Sequence, residues 1–346
     1  MVRILFGVSG EGNGHLTRSQ AVITSLRKKH DIRIVASKNA YVQLKKLGLK
    51  THKVTDLYLE YEDNRVSIAG TLWVNLKNAQ KVFESLAKTV RLIRSQNIDL
   101  IVNDFSAITT FAGLWTKRKI ITIDNNQIVL KGILDIPRRW RFTAFRAKIA
   151  IRAMTLTAHW RIIPAFFFPP LSSSRATLVA PILRREVVLA RSSKKGKVLV
   201  YQTSDSNKDL LRVLKKIDDQ FIVYGFDKQG KEKNLQFRKF SSKSFLKDLK
   251  DAKAVIMNGG FSLISECIYL KKPILSIPIE GQIEQMINAK YLQKIGIGKY
   301  IQDNDKAQIE VFLKSLLHYE SNLKKLSFDY GSYEKVLQNK IEEFTE

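Results

Sequence analysis

One cysteine, Cys267, is the chain's whole supply of thiol, so no intrachain disulfide can form. It falls on the apolar side of an expected helix and reads as a buried core thiol rather than a nucleophile. No run approaches the roughly 18 apolar residues that a membrane span requires. There is no low-complexity tract, no Cys/His cluster with zinc spacing, and no internal repeat beyond two similar halves. The chain opens on an apolar strand without a basic leader region or cleavage site, so a cytoplasmic protein is expected. Acidic residues are few: 32 Asp and Glu stand against 59 Lys and Arg, a net charge of +27. Such an excess implies an anionic partner, whether nucleic acid, an acidic lipid surface or a phosphorylated substrate. A recognition helix, an RNA-stacking strand motif and a zinc finger are all missing, so nucleic acid is not expected.

The 346 residues suffice for two domains with separate cores, and a composition of 45% hydrophobic and 26% charged residues is that of a globular protein. The most informative stretch is 254–289. Ala254–Met257 reads as a buried strand stopped by Asn258-Gly259-Gly260, and Ser262–Leu270 carries apolar residues at helical spacing. Lys272-Pro273 ends that helix, and Ile274–Pro278 reads as a second buried strand. A strand delivering Gly259 and Gly260 to the helix start at Phe261 and Ser262 makes an anion site, because free first-turn N–H groups point at the ligand. Glu266, one turn further, is placed to accept hydrogen bonds from a ribose diol. Glu284, Gln285 and Asn288 follow on the next loop, a set suited to a hydroxyl-rich ligand.

The N-terminal half repeats the logic more weakly. Strand Val2–Val8 enters a glycine loop with Gly12, Asn13 and Gly14, and a helix follows over Thr17–His30. The spacing is not G-x-G-x-x-G, and Ala36-Ser37-Lys38 closes the second strand without an acid, which argues against a dinucleotide cofactor. His15 stands at the helix start. Strand Asn97–Asn103 ends at Asp104, and strand Ile120–Ile123 leads to Asp124 and Gln127, both expected at the ligand edge of a parallel sheet.

Taken together, G-F-x-x-x-x-E, K-P, I-P-I and E-Q-x-x-N-A resemble the donor motif of two-domain nucleotide-sugar glycosyltransferases. The likeness extends to plant and animal UDP-glycosyltransferases, to the N-acetylglucosaminyltransferase that completes lipid II, and to UDP-glucuronosyltransferase-like proteins. Asn258 stands where the plant enzymes have histidine, and Glu284 where they have aspartate. The resemblance implies an α/β fold of GT-B type, two Rossmann-like domains facing each other across a cleft, with parallel sheets covered by helices on both faces. It implies that Glu266 holds the uridine ribose and that Glu284 and Gln285 hold the donor sugar. Thr203 and Ser204, at a strand end of the second half, would face the donor, as would Asn258 and Asn288 and, from the first half, Gly12, Asn13 and Gly14. It further implies that His15, in Gly14-His15, is the general base on the acceptor hydroxyl, with Asp104 stabilising its protonated form.

The expected organisation is an acceptor-binding domain over 1–168, a linker region over 169–196 marked by Pro169-Pro170, and a donor domain over 197–330. A last helix, 331–346, is expected to pack back on the first domain. Residues 56–96 hold an insert, Tyr58–Glu62, and a long helix near Val74–Ser95, where acceptor-binding elements often sit in this architecture. In 137–156 one helical stripe (Trp140, Ala147, Ile151, Met154) suits the core. An opposite ridge of Phe142, Phe145 and Ile149 among arginines suits docking at an anionic membrane surface. The expected reaction is inverting transfer from a UDP-sugar to a hydroxyl acceptor, with a lipid or cell-envelope glycan favoured by the charge. Neither cofactor nor metal is expected, since no Asp-x-Asp is placed to hold one. The alternatives are a UDP-sugar epimerase on the same fold and, further off, a basic nucleic-acid-binding protein.

Overall fold

Strands that are apolar at nearly every position are stable only in a sheet covered on both faces. The computed structural model, which describes residues 1–10, 12–57, 60–62, 65–193, 196–203 and 207–346, contains two such sheets. Each lies in its own unit, one formed by Met1–Arg184 with Phe328–Glu346 and the other by Arg185–Ser327.

In the first unit the strands are β1 (Arg3–Val8), β2 (Asp31–Ala36) and β3 (Thr51–Lys53), then a separate ribbon of β4 (Glu60–Glu62) and β5 (Arg65–Ser67). They are followed by β6 (Leu100–Asp104), β7 (Lys119–Ile123), β8 (Trp160–Pro164) and β9 (Ala176–Val179). The main sheet is parallel throughout, in the order β3-β2-β1-β6-β7-β8-β9. Its helices are α1 (Gly12–Leu26), α2 (Lys38–Lys46), α3 (Ile68–Lys77), α4 (Ala79–Ser95), α5 (Ala107–Thr116), α6 (Gln127–Lys131) and α7 (Arg141–Met154).

In the second unit, α8 (Arg185–Val188) precedes β10 (Val198–Tyr201), α9 (Lys208–Leu214), β11 (Phe221–Tyr224), β12 (Gly230–Glu232) and β13 (Leu235–Phe237). Then come α10 (Ser242–Asp251), β14 (Ala254–Met257), α11 (Phe261–Tyr269), β15 (Ile274–Ser276), α12 (Ile283–Lys294) and β16 (Gly298–Tyr300). Helices α13 (Lys306–Lys314) and α14 (Leu316–Lys325) finish this unit, and α15 (Ser332–Thr345) belongs to the first. The sheet order is β12-β13-β11-β10-β14-β15-β16, antiparallel only between β12 and β13.

Alternation along β1 divides the first core. Ile4, Phe6 and Val8 pack with Val22 and Ile23 of α1, Leu44 of α2, and Tyr333, Leu337 and Ile341 of α15. Leu5 faces the other side, with Ile93 of α4 and Ile108 and Ala112 of α5. The second unit's core joins β10, β11, β13 and β14 to Leu210, Leu214, Ile309 and Phe312.

Three sequence expectations change. The stretch expected as a linker over 169–196 holds two short elements, because β9 adds a seventh strand beside β8 within a first unit that runs to Arg184, and α8 opens the second. The first helix starts at Gly12, so His15 lies within its first turns. The long helix near Val74–Ser95 is two helices that meet at Asn78, where φ −98° and ψ 3° leave the helical range and the side chain and backbone N–H both donate to the Val74 carbonyl. Tyr58, Leu59 and Ser204 lie outside the described residues. Among the described residues, no helix is long and apolar enough to cross a membrane.

Candidate active site

In open parallel sheets, ligands bind beyond the carboxyl ends of strands where the winding direction reverses. In the first unit that reversal falls between β1 and β6, in register at Val8 and Asp104. The Ser9 amide donates to the Asp104 carbonyl at 3.0 Å, so the loop leaving β1 is fixed to the end of β6. Helix α1 then carries His15 and Arg18 on one face, three residues apart.

These side chains meet. His15 Nδ1 lies 2.7 Å from Asp104 Oδ1, and its ring stacks on Phe105 at 5.6 Å between centroids. Phe105 takes φ +57°, a left-handed conformation that costs energy for a side chain of this size and turns the backbone into α5. Arg18 Nη2 reaches Asp104 Oδ1 at 2.5 Å and Arg18 Nε reaches Oδ2 at 3.2 Å, while Ser19 Oγ donates to Oδ2 at 2.6 Å. Arg18 Nη1 donates to Asn125 Oδ1 at 2.8 Å.

The electrostatics assign the protons. Burial pushes the Asp104 carboxyl up, but the charges and hydrogen bonds of Arg18 and His15 outweigh it, and its pKa lies below the usual value. An ionised Asp104 only accepts, so His15 Nδ1 carries the proton and Nε2 is the basic nitrogen. Burial lowers the His15 pKa, Asp104 raises it by charge and hydrogen bond, Arg18 opposes, and the net is a raised value. The Asp124 pKa is raised, first by burial and against the opposing charges of Arg18 and His15, and its Oδ2 has no hydrogen-bond partner among the described residues.

Donor atoms of His15, Asp104 and Asp124 lie within 4.8 Å of one another, close enough to share a divalent cation. Arg18 Nη2 is already 2.9, 2.5 and 3.5 Å from the three of them, so a guanidinium fills that centre. Arg18 is the residue that the sequence reading missed, although the spacing His15-x-x-Arg18 on a helix was visible.

Two residues expected at this edge are placed otherwise. Gln127 is fully buried and bonded to Thr155 Oγ1 and Arg161 Nε, because α6 folds back over the sheet end. Asp124 is equally buried and lies behind Arg18, so it faces the cluster and not a ligand.

In the second unit the winding reverses between β10 and β14, paired at Tyr201 and Met257. The loop after β14 turns through Gly259 at φ +102°, where a Cβ would fall 2.8 Å from Ser276 Oγ and 2.9 Å from the Gln285 carbonyl. Only glycine fits there. At Gly260, the residue capping α11, an added Cβ would meet nothing within 4 Å, so this side of the loop is open to an approaching anion. Asn288 Nδ2 donates to the Gly259 carbonyl at 3.1 Å, and Gln285 Oε1 accepts from the Ile279 amide at 3.1 Å, so both residues shape the loops of this site. Glu266 is buried on α11, Ser262 half-buried in its first turn, and Glu284 half-buried in the first turn of α12.

Asn258, expected to touch the donor, has its side chain occupied. Its Nδ2 donates to Gln202 Oε1 at 2.7 Å and its Oδ1 accepts from the Thr203 amide at 2.8 Å. It clamps the ends of β10 and β14 together, and Thr203 is held by the same bond. Cys267 is fully buried, and desolvation with the neighbouring Glu266 charge holds its thiol well above the ordinary range, an inert state.

The fold is shared with solved glycosyltransferase structures. The glycotransferase of kitacinnamycin aligns at TM-score 0.70 and 14% identity, over 93% of both chains. MurG of Acinetobacter baumannii aligns at 0.63 and 12% identity, over 98% of this chain and 100% of its own. A Streptomyces glycosyltransferase complexed with thymidine diphosphate aligns at 0.62 and 15% identity, over 98% and 100%. A curated relative, an uncharacterized glycosyltransferase of Methanosarcina acetivorans, is 22% identical over 335 residues, 87% of this chain and 86% of its own. The model described as glycosyl transferase family 1 matches residues 2–317, and the chain therefore belongs to that family: it is a glycosyltransferase with the GT-B fold.

Proposed function

We propose that the protein transfers a sugar from a UDP-sugar to an acceptor hydroxyl with inversion at the anomeric carbon. The observation that carries this reading is the 2.7 Å hydrogen bond from His15 to an ionised Asp104, which fixes the tautomer with Nε2 basic. His15 Nε2 takes the acceptor proton as the hydroxyl oxygen bonds to the anomeric carbon. The bond from that carbon to the diphosphate oxygen breaks on the opposite face, and the electron pair leaves with UDP. Asp104 stabilises the imidazolium that forms. The glycine loop and the positive end of α11 take the diphosphate charge, Glu266 the ribose, and Glu284 with Gln285 the sugar. A pyrimidine nucleoside diphosphate is supported by the family motif and by the thymidine diphosphate in the Streptomyces neighbour. The step needs no metal, because Arg18 already supplies the cation at the His15 cluster and a helix terminus can supply charge at the diphosphate. We further propose an acceptor on a lipid or cell-envelope glycan, met at the inner face of the cell membrane; the basic, apolar ridge of α7 supports it.

The test begins with thermal-shift measurements on UDP, GDP, ADP, dTDP and NAD at matched concentrations. A selective shift with UDP, lost in Glu266→Ala, is expected; a shift with another nucleotide alone overturns the donor assignment. His15→Ala should then lower transfer by about 10²–10⁴-fold with UDP affinity kept. Product formed from donor without acceptor would show an epimerase instead.

A further inference from the structure

Exposed apolar side chains in the first unit are lopsided. Among the described residues, the large apolar side chains exposed on the helices of one sheet face, α1, α2 and α15, are limited to Val42 of α2, with Leu47 just beyond its end. The other face is covered by α4 and α5, with α3 packed against α4 and α7 against α5. Thr110 Oγ1 on α5 donates to the Met154 carbonyl at 2.8 Å and fixes α7 in place. Across this helical layer Trp73 (60% exposed), Leu76 (70%), Phe83 (70%), Trp115 (68%) and Phe142 (71%) project into solvent. The ridge continues along α7 with Phe145 and Ile149, one side chain per turn, while Ala144, Ile151 and Met154 point inward.

Charge on the same helices has one sign almost throughout. Ile68–Ser95 contains Glu84 as its sole acid, Ala107–Lys119 contains none, and none occurs from Ile136 to Arg185. Two of the aromatics carry cations on their faces: Lys77 Nζ lies 5.5 Å from the Trp73 ring centroid and the Arg146 guanidinium 5.9 Å from that of Phe142. Aromatic and aliphatic tips among lysine and arginine match the boundary between anionic headgroups and acyl chains. A second copy of the face would bring like charges together. A polynucleotide would satisfy the cations yet leave Leu76 and Ile149 in water.

We propose that the layer formed by α3, α4, α5 and α7 lies flat on an anionic lipid bilayer, with Trp73, Trp115 and the α7 ridge at headgroup depth. The binding is independent of the transfer reaction, so it is tested without substrate. The full chain is mixed with vesicles of phosphatidylglycerol and phosphatidylcholine, or of phosphatidylcholine alone, and followed by co-sedimentation and tryptophan emission. Expected are pelleting with the anionic vesicles only, a blue shift of emission, and quenching by brominated acyl chains. Trp73→Phe with Trp115→Phe should retain binding and lose most of the shift and quenching. Trp73→Ser with Phe145→Ser, both solvent-exposed positions, should weaken binding at least tenfold. Absence of pelleting, equal pelleting with both vesicles, or pelleting without an emission change overturns the proposal. So does an emission shift given by single-stranded RNA and not by vesicles.

Discussion

Arg18 Nη2 and Asp104 Oδ1 stand 2.5 Å apart in a site where both side chains are almost wholly buried. A buried ion pair of this kind is held by geometry, since the carboxylate also accepts from His15 and Ser19. Arg18 thus has two opposed effects on His15. It keeps Asp104 ionised, which favours the imidazolium, and its own charge disfavours it.

The pH dependence of transfer separates these effects. The active form is neutral His15, so kcat/KM should rise with pH through a value above 6.5, the ordinary histidine pKa. Asp104→Asn removes the stabilising charge, and its acid limb should move to lower pH while kcat falls by 10²-fold or more. Arg18→Met is expected to move the limb to higher pH, at a cost of about 3–5 kcal/mol in stability from the uncompensated carboxylate. An acid limb unmoved in both variants would remove His15 as the base. The depressed Asp104 pKa also stabilises the fold above the ordinary carboxyl value and ceases to do so as pH falls through the folded value.

Chelation tests the role given to the guanidinium. With Arg18 at the centre of His15, Asp104 and Asp124, transfer by the intact enzyme should change less than about twofold in excess EDTA, well inside the tenfold that 1.4 kcal/mol represents. A large loss restored by magnesium or manganese would contradict this.

Lys272 gives a prediction about stability alone. It is fully buried, and its ammonium donates to the carbonyls of Ser193, Lys250 and Ala252 at 2.5, 2.7 and 2.6 Å. Two of these carbonyls belong to the end of α10, where a cation also answers the helix dipole. Lys272→Met leaves the carbonyls without this donor and should cost about 3 kcal/mol in urea unfolding. A change under about 0.5 kcal/mol would mean that water replaces the ammonium without loss.

Much of the second unit was legible because its motif is contiguous. Residues 254–289 carry strand, glycine turn, helix and strand in one stretch, and the periodicity changes where the structure changes. The first site was legible only in part. His15 and Asp104 stand out as a histidine after a glycine loop and an acid ending a strand. Arg18 looks like any basic residue on a helix of a highly basic chain, and only the tertiary pairing of β1 with β6 shows what it faces. Gln127 and Asn258 mislead for a related reason. Their positions at strand ends are correct, but a polar residue there can serve the backbone and its neighbours as readily as a ligand. Strand β9 is short and follows two prolines, so its pairing with β8 is a property of the sheet and not of its local sequence.

The return of α15 to the first sheet bears on how the chain is made. Tyr333, Leu337 and Ile341 complete the core around Ile4, Phe6 and Val8, yet they leave the ribosome after all of residues 185–327. The second unit is continuous in sequence and can fold during synthesis, whereas the first must wait with one face of its sheet partly uncovered. Folding of the inserted unit shortens the span of loose chain that has to close before α15 can dock. A chain truncated after Ser327 should therefore keep a protease-resistant second unit and a protease-sensitive N-terminal half.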